Sequence, residues 1–477
     1  MLLLALAVAV QAVPQEPVAY QLTYAAPGDT AITVRLTLPG DPAGPVTLVV
    51  PRAVPMGYSQ QPYDRYVTDV RATAADGAML AVEREEGPRW RIGAAEGRVR
   101  QVEYRVDLAA MERDIPGATD SSRVRGGYAG LLGYSVFAFV EGWEERPARL
   151  SIAGPEDWPL FTTLAPRAPP ARGRARADAA NFYELADSQV AIGPRLSVLR
   201  VEAGVPLYVA AYDEGSADIA FTGRLAAEAI DLLIRYFGSA PFPHYTVHME
   251  LLKPISPHHE YGFSMEHLSS SHYFLAAGTG VTPESPPEQR ARVRFNFVHH
   301  IAHAWIPKRA YGEGYFPFSW ELAPLIDTIW LSEGFARYIA IDAVADDLPD
   351  PDAAAYRQRM FDSMRTFLAG VPGFIRTMPL VELSRVASTR YSEDFRTGRT
   401  LFSRGALLAD ALDRRIRDGS RGTKRFRDAA RYLMDWSTRN RRGIRVDELP
   451  GIFRDATGVD TLDIWTSWLR RDSHGYR

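Results

Sequence analysis

The strongest constraint on this chain is a change of hydrophobic period partway along it. From about residue 18 to residue 202 the apolar positions recur every second residue. Residues 31–38 (Ala-Ile-Thr-Val-Arg-Leu-Thr-Leu), 46–50, 98–106 and 196–201 alternate or run β-branched, with Gly, Pro and Asp between them. A period of two puts alternate side chains on one face of a strand, so many short strands with regular turns predict a β-sandwich. Within it, the Arg/Ala/Pro-rich stretch 165–180 reads as a solvated loop. After Gly223 the period becomes 3.6, with Leu225, Ala229, Leu232 and Leu233 on one helical face and a strand-like run at 245–252 behind them. Residues 285–288 (Ser-Pro-Pro-Glu) read as a capping box that opens a helix stopped by Pro307. Because that helix is apolar almost all round from Val293 to Trp305, it is expected to be buried. From about Asp352 the pattern is mostly helical, clearest at 405–413.

The length of 477 residues exceeds one ordinary domain. The expected architecture is multidomain α+β, with a β-sandwich at 17–205, an α/β region at 206–345 and an α-helical region at 346–477. The apolar run at residues 2–10, followed by Val10-Gln11-Ala12 and Pro14, reads as a signal peptide ending near residue 13, which implies export to a periplasm or beyond. No other stretch is long and apolar enough for a membrane span. The 55 basic residues are balanced by 58 acidic ones, which leaves no electrostatic case for nucleic acid. With no cysteine, thiolate metal sites and thiol nucleophiles are excluded, and any metal must be held by His, Asp or Glu.

Nine of the ten histidines fall between His244 and His303. At the centre of the cluster, His299 and His303 are four apart, so on a helix their imidazoles share a face and can converge on one ion. Such a pair alone is often a satisfied core feature. Here a third donor follows: Glu333 is the one acid in the apolar helical start at 331–338 (Leu-Ser-Glu-Gly-Phe-Ala-Arg-Tyr). A carboxylate buried beside two histidines is hard to account for without a cation.

Five segments in order resemble the glycyl-aminopeptidase-like peptidases, family M61 of the gluzincin zinc peptidases. Residues 182–190 (Phe-Tyr-Glu-Leu-Ala-Asp-Ser-Gln-Val) are similar to the family's exit from its N-terminal β-domain, and 236–245 to its entry into the catalytic domain. Residues 262–267 (Gly-Phe-Ser-Met-Glu-His) resemble its Gly-Gly-Leu-Glu-His segment. The run 299–309 resembles its His-Glu-x-x-His-x-Trp-x-x-Lys-Arg, with Trp305, Lys308 and Arg309 in register, and 333–335 its Glu-Gly-Phe. The resemblance implies a thermolysin-like middle domain and one zinc ion held by His299, His303 and Glu333. It also implies that Glu266 pairs with a substrate α-amine, so that peptides or protein N-termini are the ligands.

Departures from the family pattern fall on the chemistry. The family's general base follows the first ligand histidine, and here that residue is His300. Imidazole accepts protons, yet a nearby cation disfavours imidazolium, and His300 could also turn inward as a ligand. The gluzincin tyrosine that donates to the developing oxyanion precedes an Arg-Gly pair by two residues; at 401–405 (Leu-Phe-Ser-Arg-Gly) that place is taken by Phe402. Tyr391 is a candidate substitute donor. The paired glycines before Glu266 are Phe263 and Ser264, and the family's C-terminal PDZ domain is expected to be missing. Three readings stand at this point: a zinc-bearing scaffold with weak or no hydrolysis, an active zinc aminopeptidase of altered mechanism, and a metal-free structural or binding module.

Overall fold

The computed structural model describes residues 15–469 apart from 55, 56, 59, 96, 118 and 391–393. Both the segment 1–13 and Tyr391 therefore lie outside the described residues.

The alternating residues of the first third do become strands. Val18–Thr23, Ala31–Thr37, Gln101–Asp107 and Val67–Thr73 run antiparallel through a seven-stranded sheet. In Ala31–Thr37 the inward residues Ile32, Val34 and Leu36 are buried and their neighbours are not. A five-stranded and a four-stranded sheet complete this β-rich region. The stretch expected as a solvated loop is instead partly strand. Arg174–Ala179 pairs antiparallel with Ala148–Ala153, burying Ala177 and Ala179 while Arg174, Arg176 and Asp178 face out. Its composition looked featureless because small alanines supply the inward face.

The middle region is built on a second sheet. Leu207–Asp213, Tyr245–Leu252 and Ser270–Ala276 are parallel neighbours, flanked by antiparallel edges Ser197–Val201 and Gly262–Glu266. Strand Ser197–Val201, read in sequence with the β-sandwich, thus pairs with the following sheet. Parallel neighbours need a crossover, and helix Ile219–Phe237 supplies it. Asp218 accepts from the Phe221 N–H at its start, and Gly238 ends it at φ +92°, where a residue with a Cβ would be strained. Every residue of Tyr245–Leu252 is buried, as befits a central strand covered on both faces.

Helix Pro287–Ala302 departs from expectation in two ways. Ser285 accepts from the Thr282 N–H of its own turn, and no side chain caps the helix. Only the end from Phe297 onward is buried, and Phe295, Asn296, His299 and His300 line a cleft. The last third is helical, with Asp350–Ala369, Phe395–Gly419 and Phe426–Asn440 its longest members. Among the described residues, no helix is long and apolar enough to cross a membrane.

A buried ion pair ties the β-rich region to the middle sheet. Arg123 Nη1 lies 2.7 Å from Glu250 Oε2, and both side chains are essentially inaccessible. His272 Nε2 is 3.0 Å from the same oxygen, and His248 stacks on His272 with ring centroids 4.5 Å apart. Gly130 makes room: a Cβ there would sit 1.8 Å from Glu250 Oε1. Although His248, Glu250 and His272 have metal-ligand spacing, the guanidinium already supplies the positive charge. Burial and the neighbouring His272 hold the His248 imidazole down to about 3, with Glu250 opposing. Burial raises Glu250, but Arg123 and His272 outweigh it and hold the carboxyl well below its usual range.

Folding therefore favours neutral His248, a contribution present above its unfolded value near 6.5 and lost as pH falls toward 3. Urea unfolding at intervals between pH 7 and 4 should show stability falling with acid. In His248→Gln the slope should be shallower by up to about 1.4 kcal/mol per pH unit, the contribution of one proton. Identical slopes would contradict the assignment.

Candidate metal centre

The turn carrying Glu333 packs closely on a C-terminal helix because two glycines let the backbones touch. Trp330–Phe335 forms a wide π-type turn leading into helix Ala336–Ala345, and helix Phe395–Gly419 crosses it. A Cβ on Gly405 would come within 2.4 Å of the Trp330 carbonyl, and one on Gly334 within 2.3 Å of the Gly405 Cα. Both obstacles are backbone, so neither could move aside. Wide turns of this kind are frequent at functional sites, and this one aims the Glu333 carboxylate at the histidines.

There the three expected donors converge. Glu333 Oε2 is 3.5 Å from His299 Nε2 and 3.5 Å from His303 Nε2. A tetrahedron with ligand bonds near 2.0–2.1 Å has edges of roughly 3.3–3.4 Å, so the separations suit a zinc-sized ion. His303 Nδ1 lies 3.0 Å from the Ile306 carbonyl, which makes Nδ1 the donor and leaves Nε2 as a free lone pair. That Nε2 is buried and has no hydrogen-bond partner. Burial pushes the Glu333 carboxyl up to about 8, against the opposing charge of Arg337. Burial and the neighbouring imidazoles hold His299 below its ordinary value, and burial, helped by Lys308, does the same for His303 against Glu266 and the Ile306 carbonyl. The groups that remain are neutral imidazoles around a destabilised carboxylate, and a cation between them satisfies all three.

His300 lies beside the triad. Its ring centroid is 5.0 Å from that of His299 and 6.0 Å from that of His303, and it can join them as a ligand set. Tyr273 meets it edge-on at 5.5 Å. Burial and His303 depress its basicity to about 4, with Glu266 opposing. Glu266, on the edge strand Gly262–Glu266, is buried, and a carboxylate oxygen lies within 4.8 Å of donors on His303 and Glu333. Burial pushes Glu266 up, but His303, Lys308 and His300 outweigh that and keep it below the usual value.

Phe402 lines the same cleft, its ring 6.2 Å from His299, so no hydroxyl comes from this position. Phe263 and Ser264 line the cleft as well, where smaller residues would leave more space. The cleft has a volume of about 530 Å³ and draws its walls from all three regions, from Tyr58 and Asp120 through Glu266 and Glu333 to Phe395 and Arg399.

Three contributors escaped sequence reasoning. The Tyr58 hydroxyl donates to Glu333 Oε1, reaching the centre from the β-rich region 275 residues earlier in the chain. Asp120 lines the cleft from the same region, and its Oδ1 is buried without a partner. Neither sits in any motif. Asp187 does lie in a segment that the family resemblance singled out. It pairs with His267 Nδ1 at 2.9 Å, accepts from the Leu268 N–H at 2.7 Å and lies 3.7 Å from Lys308 Nζ, anchoring the chain just after Glu266.

Residues 19–194 match the Peptidase M61 N-terminal domain. No curated protein sequence matches the chain. Among solved structures, an aminopeptidase N family protein from Idiomarina loihiensis is similar with a TM-score of 0.81 at 18% identity, covering 95% of this chain and 76% of that one. An M1 zinc metallopeptidase from Deinococcus radiodurans is similar at TM-score 0.54 and 16% identity, covering 97% of this chain and 94% of that one. A substituted form of that enzyme bound to a Tyr-Ser-Ala substrate is similar to the same degree, at TM-score 0.54 and 16% identity over 96% of this chain and 94% of that one. The scaffold is M61-like in its N-terminal domain and has the fold of the aminopeptidases.

Gly405→Ala should separate the crossing backbones and displace Glu333. An unfolding free energy lowered by about 1–3 kcal/mol is expected, together with weakened binding of divalent metal to the purified protein. Wild-type stability and metal affinity in that variant would show that the close approach does not position the carboxylate.

Proposed function

On this M61-like scaffold, we propose a zinc-loaded peptide-binding cleft whose capacity for peptide hydrolysis is weak or lost. The observation that carries the reading is the pairing of an intact donor triad with altered neighbours. Glu333 Oε2 stands 3.5 Å from both ligand nitrogens, while His300 and Phe402 flank it. Bound zinc would supply Lewis-acid polarisation of a peptide carbonyl and activation of water. His299, His303 and Glu333 would hold it, and the Tyr58 hydroxyl steadies the carboxylate from outside. Glu266, buried at the cleft wall, would pair with a substrate α-amine.

The remaining work of hydrolysis is proton transfer and charge stabilisation. His300 occupies the position of the proton acceptor, next to where a cation would sit, and imidazolium is disfavoured there. Replacing a working general base typically lowers the rate about 10²–10⁴-fold. Phe402 offers no hydroxyl to a developing oxyanion, and losing one such donor lowers it about 10²–10³-fold. The two losses are not strictly additive, but either alone slows ordinary turnover severely. A metal-free module is disfavoured by the orphaned His303 Nε2, which has no other partner to satisfy it.

One observation favours the second reading, an active aminopeptidase of altered mechanism. Tyr58 brings a hydroxyl into the cleft beside Glu333, within the same enclosure as the absent one at 402. Metal analysis with an aminopeptidase assay separates the readings. About one zinc per chain and little wild-type turnover are expected, with activity gained in His300→Glu combined with Phe402→Tyr. Substantial chelator-sensitive turnover in wild type, lost in Tyr58→Phe, would establish the second reading instead. Protein that stays metal-free when zinc is supplied would refute both.

A further inference from the structure

The cleft is lined by acidic and basic side chains together. Glu266 and Asp120 are both nearly inaccessible. Arg337 and Arg399 line the same cleft. Arg337 follows Glu333 by one turn, its guanidinium 6.0 Å from the ring centre of Phe295, whose ring stacks on His299. Arg399 rests over Phe367 at 4.3 Å from the ring centre, on the helix that also carries Phe402.

The two arginines differ from most others in this protein. Among the described residues, neither has a carboxylate within 4.0 Å, and the Nε of Arg337 is buried without a hydrogen-bond partner. Glu333 is the obvious partner one turn away, but its carboxylate faces His299 and His303 and accepts from the Tyr58 hydroxyl. Burial and the adjacent Arg399 both weigh against the charge on Arg337, so an anion arriving between the two would relieve both. A half-buried guanidinium without a counter-ion is unfavourable, and its planar fork matches a carboxylate. The cleft volume of about 530 Å³ suits a peptide of a few residues.

We propose that Arg337 and Arg399 form a carboxylate-binding subsite, so that the cleft selects short peptides carrying a free amino terminus at one end and a carboxylate at the other. This rests on the reading of the cleft as a peptide site with the amine at Glu266. The carboxylate can be the peptide's own C-terminus or an acidic side chain, and the shared chemistry is a carboxylate within a few residues of the free amine.

Calorimetry on the zinc-supplemented full chain tests it, using Ala-Ala-Ala, its C-terminal amide, its N-acetyl form and the amide of Ala-Asp-Ala. Free Ala-Ala-Ala should bind at least about tenfold more tightly than its amide, the advantage shrinking as salt is raised. Arg337→Gln and the more exposed Arg399→Gln should each erase most of that advantage while leaving affinity for the amide unchanged. Zinc content, measured in parallel, shows that the variants keep their metal. Recovery of affinity by the Ala-Asp-Ala amide would identify an acidic side chain as an accepted source. Equal affinity for the free and amidated peptides would overturn the proposal, and so would equal loss of both in the variants. If amidation weakens binding but N-acetylation does not, the arginine subsite stands and the amine role of Glu266 fails. If no peptide binds, both the subsite and the peptide-cleft reading fail.

Discussion

A carboxylate enclosed by two uncharged imidazoles is an unstable arrangement by itself. Glu333 is driven toward its protonated form by burial, and the imidazoles beside it are driven toward neutrality by the same loss of solvent. A divalent ion reverses the balance, because it stabilises the carboxylate and accepts the lone pairs that the protein leaves unmet. Much of the local structure serves that convergence. Gly334 and Gly405 permit the backbone crossing that aims Glu333, the Ile306 carbonyl sets the tautomer of His303, and Tyr58 fixes the outer carboxylate oxygen.

The same centre explains why three regions must be held together. Tyr58 and Asp120 come from the β-rich part, Glu266 and the ligands from the middle, and Phe402 and Arg399 from the C-terminal helices. The buried Arg123–Glu250 pair and the Asp187 cluster are the polar fasteners, and both lie behind the cleft where water cannot compete. Removing either partner of such a buried pair would leave the other uncompensated.

Hydrolysis asks more of a site than metal binding does. Ligands need only meet at one point, whereas turnover also needs a base whose proton affinity matches the working pH and a donor aimed at a charge that exists briefly. His300 and Phe402 line the cleft beside the three donors. The likeness to aminopeptidases is one of fold, and the altered residues are where chemistry would be decided.

Much was legible before any coordinates. Alternation announced the strands, a period of 3.6 announced helix Ile219–Phe237, and the four-residue step between His299 and His303 announced a shared face. These signals are local, carried by residues a few positions apart, and local geometry converts them directly into structure. Where local reading failed, small residues or neighbouring elements had taken over. The alanines of Arg174–Ala179 concealed a strand, and the apolar histidine helix proved to be buried only from Phe297 onward. Sequence alone determined which side chains stand at 299, 300, 303, 333 and 402, since residue identity is what chemistry reads. Only the tertiary structure brought in Tyr58, Asp120 and the unpaired Arg337, because contacts spanning hundreds of residues depend on how sheets and helices pack and leave no periodic trace in the chain.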